Sequence, residues 1–127
     1  MYDTVSVELH GKRHTDFDLQ RLAKAYAQGF DEPVTAYLCG VSIMARAGLG
    51  IVFGHKRKDH YGRFGDGHLI RTSDVIKIER EGRFWVMTTV NSRYVVVTFQ
   101  RGNGRASLRE FLGVAKRQPH FTPRILQ

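Results

Sequence analysis

The stretch 69–99 constrains the fold of this chain more than any other part. Val, Ile, Thr, Tyr, Phe and Trp dominate it, and these residues suit a pleated, half-buried surface. It divides into three predicted strands, 69–79, 84–90 and 93–99, broken by Glu81-Gly82 and by Asn91-Ser92. Ile76 and Ile78 alternate with Lys77 and Glu79. Val86, Thr88 and Val90 share one face, and Val95, Val97 and Phe99 share another. This is a β-meander, a scaffold on which the other elements pack.

The flanks add to it. Residues 2–10 alternate as a strand, with Val5, Val7 and Leu9 on one side. Thr15 is a suitable N-cap, and Asp18 three residues on completes a capping box with a shortened acid. Leu19, Leu22, Ala23, Tyr26 and Phe30 then fall at helical spacing, opposite Arg21, Lys24 and Gln28, until Gly29 and Pro33 stop the helix. Residues 34–52 read two ways. Val34, Leu38, Val41 and Ala45 fit a helix, but Gly40, Gly48 and Gly50 favour two strands, 35–47 and 49–53, with a bend at Gly40 and a bulge or turn at Gly48. Ser107-Leu108-Arg109-Glu110 has the capping-box pattern and predicts a short helix with Leu108, Phe111, Leu112 and Ala115 inward, ended by Pro119. The expected fold is one α+β domain over 1–127: a curved, mostly antiparallel sheet of five or six strands with two helices, a flexible basic loop at 54–68 and a basic tail at 118–127.

Charge carries the functional signal. The net charge is +8, but residues 1–53 sum to −1 and residues 54–127 to +9. A surface this basic suits phosphate contacts and counterion release. No apolar run approaches the ~18 residues that span a bilayer, and the start of the chain lacks a signal-peptide pattern. A cytoplasmic protein without membrane contact is the expectation. The single Cys39 excludes an intrachain disulfide and a cysteine zinc site, and is expected to serve as a small core residue.

The loop 54–68 reads GHKRKDHYGRFGDGH, with four glycines, four Lys/Arg, three histidines and two aromatics in fifteen residues. Lys56, Arg57, Lys58 and Arg63 suit phosphates, and Tyr61 and Phe64 suit stacking on unpaired bases. Arg101 and Arg105, in the second glycine-rich basic loop at 100–106, extend this surface if they lie on the same side. Loss of charge at 56–58 is then expected to weaken binding and flatten its salt slope. The competing reading is a solvated loop whose two aromatics fold back on the sheet. A further reading takes His55, His60 and His68, with Asp59 and Asp66, as metal ligands or a general base of a nuclease. Their spacing matches no metal signature, so neither metal, cofactor nor catalysis is expected. Trp85 reads as a core or half-exposed sheet residue.

Two resemblances bear on context. Gly54-His55, Arg63, Asp66-Gly67, Ile70, Thr72-Ser73 and Val75, followed by Thr89, Asn91-Ser92 and Tyr94, resemble small accessory proteins of bacteriophages and mobile elements. That resemblance implies a setting rather than a chemistry. Phage proteins of this size are often inhibitors of host machinery, including CRISPR and restriction systems. The run Asp74-Val75-Ile76-Lys77-Ile78-Glu79, Tyr94, Ser107-Leu108-Arg109-Glu110-Phe111 and Phe121 is similar to a LytTR-type DNA-binding domain. That family's closing Arg-x-His-Arg-Ser segment is absent and 99–106 is an insertion, so this second resemblance is set aside. The expectation is a non-enzymatic nucleic-acid-binding accessory protein of phage or mobile-element type, for DNA or RNA. The alternative is a phage-encoded, anti-CRISPR-like inhibitor that binds a host defence protein or nucleoprotein complex.

Overall fold

The computed structural model describes residues 14–57 and 64–117. The predicted strand 2–10, the centre of the basic loop and the tail 118–127 lie outside them. The described elements run α1 (Asp16–Gln28), β1 (Ala36–Met44), β2 (Ala47–Phe53), β3 (Leu69–Glu81), β4 (Phe84–Thr89), β5 (Arg93–Val96) and α2 (Gly104–Arg117). This is the expected α+β class, with the five strands closed into a small barrel in the order β1-β2-β3-β4-β5. Successive strands alternate in direction, so β1 and β5 point the same way and close the barrel as a parallel pair, Ala36 beside Tyr94 and Leu38 beside Val96. No helix among the described residues is long and apolar enough to cross a membrane.

Two apolar clusters follow from strand alternation. One takes Ala36, Leu38, Val41, Val52, Val75, Ile78, Met87, Tyr94 and Val96 from all five strands and fills the barrel, with Leu108 of α2 packed among them. The other lies under α1 and joins Leu22 and Ala25 to Cys39, Ile51, Phe84, Val86, Val95 and Val97. Strands β4 and β5 are therefore buried on both faces, where a single wet face would give strict alternation. The β3 register shifts between Val75 and Lys77, so Val75 and Ile78, three apart, both enter the barrel and Ile76 is only half-buried.

The cap of α1 is as expected. Asp18 N–H donates to Thr15 Oγ1 at 3.1 Å and Thr15 N–H to Asp18 Oδ2 at 2.8 Å. Its buried face differs from the expected one: Asp18, Leu22 and Ala25 point inward, while Leu19 and Tyr26 are exposed. The helix is rotated because Asp18 is tied to the barrel. Thr98 Oγ1 donates to Asp18 Oδ1 at 2.7 Å and accepts from Gly40 N–H at 2.8 Å. Gly40, where sequence placed a bend, takes φ +64 within the β1 register shift between Cys39 and Ser42.

Two local expectations are corrected. The β1–β2 turn is formed by Ala45 and Arg46, both at positive φ, and not by Gly48. Gly48 lies within β2, where a side-chain carbon would stand 2.7 Å from Met87 Cε, so its smallness serves close packing. Helix α2 begins at Gly104, before the predicted cap at Ser107. The Ser107 hydroxyl instead donates to Gly104 O at 2.7 Å and accepts from Ile43 N–H at 2.9 Å, fastening α2 to the barrel.

Candidate functional site

The packing of α1 and α2 on the barrel brings distant cations together. The Gln28 side chain donates to Glu81 O at 2.9 Å and accepts from Arg83 N–H at 3.1 Å, which clamps the β3–β4 turn to the end of α1. Arg80 and Arg83 on that hairpin thereby face Arg21 and Lys24 of α1, while the 101–103 turn and α2 supply Arg101, Arg105 and Arg109. Together they line an open groove of about 1490 Å³. Arg21 is fixed: its guanidinium lies 4.3 Å from the Phe84 ring centroid and donates to Val97 O at 3.3 Å.

The groove is electrostatically unbalanced. Burial, and then the nearby charges of Arg105, Arg83 and Arg80, push the Arg21 guanidinium below its ordinary pKa. Asp18 is the one carboxylate among the described lining residues, and it is buried with its oxygens engaged by Thr98 and Thr15. The ion pairs among the described residues lie elsewhere: Lys77 with Glu79 at 2.8 Å, and Arg93 with Glu81 and Glu32. Rings line the same groove. Arg80 sits 5.5 Å from the centroid of half-buried Trp85, Arg105 sits 4.6 Å from that of Phe99, and Phe17 is 60% exposed. A concave surface with uncompensated guanidinium groups and accessible rings can bind phosphates and planar groups at once.

Of the residues singled out from sequence, Arg101 and Arg105 belong to this groove. Lys56, Arg57 and Phe64 do not join them. Lys56 N–H donates to Thr35 O just before β1, whereas Gln100 N–H donates to Val41 O far along it. The two basic segments thus flank opposite ends of a stretch of roughly 20 Å at strand spacing. Lys56 and Arg57 are exposed, and Arg57 donates to Ser92 Oγ at 2.6 Å. Phe64 is half-buried and stacks on the His55 ring, 4.1 Å between centroids and 9° between planes. Lys58, Tyr61 and Arg63 lie outside the described residues. So do His60 and Asp59, and among the described residues no group of three or more His, Cys, Asp or Glu could hold a metal.

His55 is a buried part of this loop rather than an exposed ligand. Its Nδ1 accepts from Arg57 N–H at 3.0 Å and its Nε2 is buried without a hydrogen-bond partner among the described residues. Burial, and then the charge of Arg57, push its pKa below the ordinary histidine value. The unfolded chain therefore takes up a proton at His55 first. Stability is fully present above about pH 6.5 and is lost as pH falls from there through the lower folded-state value. His55→Asn, which keeps the acceptor for Arg57 N–H, is expected to reduce that loss in urea denaturation measured across pH 5–8; an unchanged pH profile would exclude His55 as its source.

Arg21, Lys24, Arg80, Arg83, Arg109, Phe17 and Trp85 were not singled out as binding residues by sequence. Two local signals pointed to part of the set: Arg105 and Arg109 are one helical turn apart, and Arg80 and Arg83 flank the Glu81-Gly82 turn. The α2 end of the groove depends on Gly104, where a side-chain carbon would stand 2.5 Å from Val41 O and 2.8 Å from Phe99 Cβ. Gly104→Ala is expected to cost about 1–3 kcal/mol by urea denaturation and to displace Arg105. Gly48→Ala meets chiefly the rotatable thioether end of Met87 and not backbone, and costs less; equal losses would count against a backbone clash at Gly104. No protein-family model matches the chain, and the comparisons with curated proteins and with solved structures also returned no match.

Proposed function

We propose that this is a non-enzymatic nucleic-acid-binding protein whose contact surface is the arginine-lined groove. The observation that carries the reading is the gathering of Arg21, Lys24, Arg80, Arg83, Arg101, Arg105 and Arg109 around one groove with no described ion pair to a carboxylate. Such a field attracts a polyanion and releases its counterions. The resemblance to phage and mobile-element accessory proteins supports an accessory role beside other nucleic-acid machinery.

The test is binding of labelled single- and double-stranded DNA and RNA across a salt series, with and without magnesium. Submicromolar binding at low salt, with log affinity falling by about 3 or more per decade of salt, is the expected result for four or more phosphate contacts. Absence of binding even at low salt, about 0.02 M, overturns it, and the inhibitor reading then predicts stoichiometric docking on a bacterial defence protein. Magnesium-dependent cleavage would overturn the non-enzymatic assignment.

A further inference from the structure

We infer that the groove takes one unpaired strand, DNA or RNA, held by base stacking as well as by phosphate contacts; this rests on the nucleic-acid reading above. Duplex is read by elements that protrude into its grooves. Here the cations line a recess between α1 and the 101–103 turn with α2, and a single strand is thin enough to lie in it. The rings make the distinction sharper. Phe17 is 60% exposed at the groove, where its ring is open to a stacking partner. Trp85 and Phe99 each carry a guanidinium across the ring, Arg80 and Arg105 respectively. A base entering the groove extends such a stack, and only an unpaired strand has base faces to offer. A purely acidic peptide would satisfy the arginines and leave the rings unused. A site of about four nucleotides, at the short end for small barrels, is expected.

Trp85 is the single tryptophan, so intrinsic fluorescence reports directly on the groove. The probes are oligothymidylate, oligouridylate, an abasic strand and a blunt duplex, all of equal length. Either base-bearing strand is expected to quench Trp85 and to bind at least about tenfold more tightly than the abasic strand or the duplex. Phe17→Ala, at an exposed helix position, is expected to leave the circular dichroism spectrum unchanged and to weaken oligothymidylate binding about tenfold with an unchanged salt slope. Equal affinity for the abasic strand, no quenching and a silent Phe17→Ala would overturn base stacking while leaving the phosphate-binding groove in place. No binding of any probe would overturn both.

Discussion

Replacing Arg83, Arg101 and Arg105 together by glutamine is expected to weaken single-strand binding about a hundredfold at low salt and to reduce the salt slope by about 2. All three side chains are exposed and line the groove, and no described carboxylate pairs with them. The effect should therefore fall on the ligand and not on the fold, with unfolding free energy changing by about 1 kcal/mol or less, chiefly from the Arg105 contact with Phe99. Lys56→Gln with Arg57→Gln is the matched control, since these cations flank the other end of the β1 segment. A larger loss from that pair than from the groove triple would transfer the interface to the 54–68 loop. Fluorescence anisotropy over a salt series reads both quantities in one experiment.

Thr98→Val is expected to give the largest loss of stability, about 3 kcal/mol by urea denaturation at unchanged m. Valine keeps the shape of threonine, so the packing term is small. What is lost is a buried relay: Gly40 N–H donates to Thr98 Oγ1, which donates to Asp18 Oδ1. The substitution leaves the Gly40 donor and one Asp18 oxygen without these partners in a site where Asp18 and Thr98 are both more than nine-tenths buried. Asp18→Ala removes the same bond from the other side and also the Thr15 N–H to Asp18 Oδ2 half of the capping box, while the Thr15 hydroxyl still caps α1. The double variant should therefore lose clearly less than the two single losses combined. A loss near zero for Thr98→Val would mean that apolar packing and the Arg21 and Gln28 contacts hold α1 on the barrel without this relay. Because α1 supplies Arg21, Lys24 and Phe17, the same variant should also weaken binding by loosening one wall of the groove.

Much of the fold was legible because its signals are local. The alternation of Val, Ile, Thr and aromatics in 69–99 identified three strands, and Thr15, Asp18 and Gly29 marked the ends of α1. The β1–β2 turn was misplaced because a glycine answers to two demands that look alike in a sequence. Gly48 is small so that Met87 can approach it, while Ala45 and Arg46 take the left-handed turn despite their side chains. Helix α2 began early because the Ser107 hydroxyl found a tertiary donor in Ile43 N–H and did not act as a cap.

The site was legible only in part for a related reason. Composition located the excess charge after residue 53, and the glycine-rich run at 100–106 singled out Arg101 and Arg105. Arg109 follows Arg105 at helical spacing, but the other partners come from α1 and the β3–β4 hairpin, segments that no periodicity links to it. Contacts such as Thr98 with Asp18, eighty positions apart, set that arrangement. A strand's alternation says which side chains share a face, and a capping residue says where a helix starts. Neither says which strand lies beside which, because barrel closure and helix docking are chosen by the burial of whole faces against one another. The charges were written in the chain; their convergence on one groove came from how α1 and α2 bury their apolar faces on a barrel closed by β1 and β5.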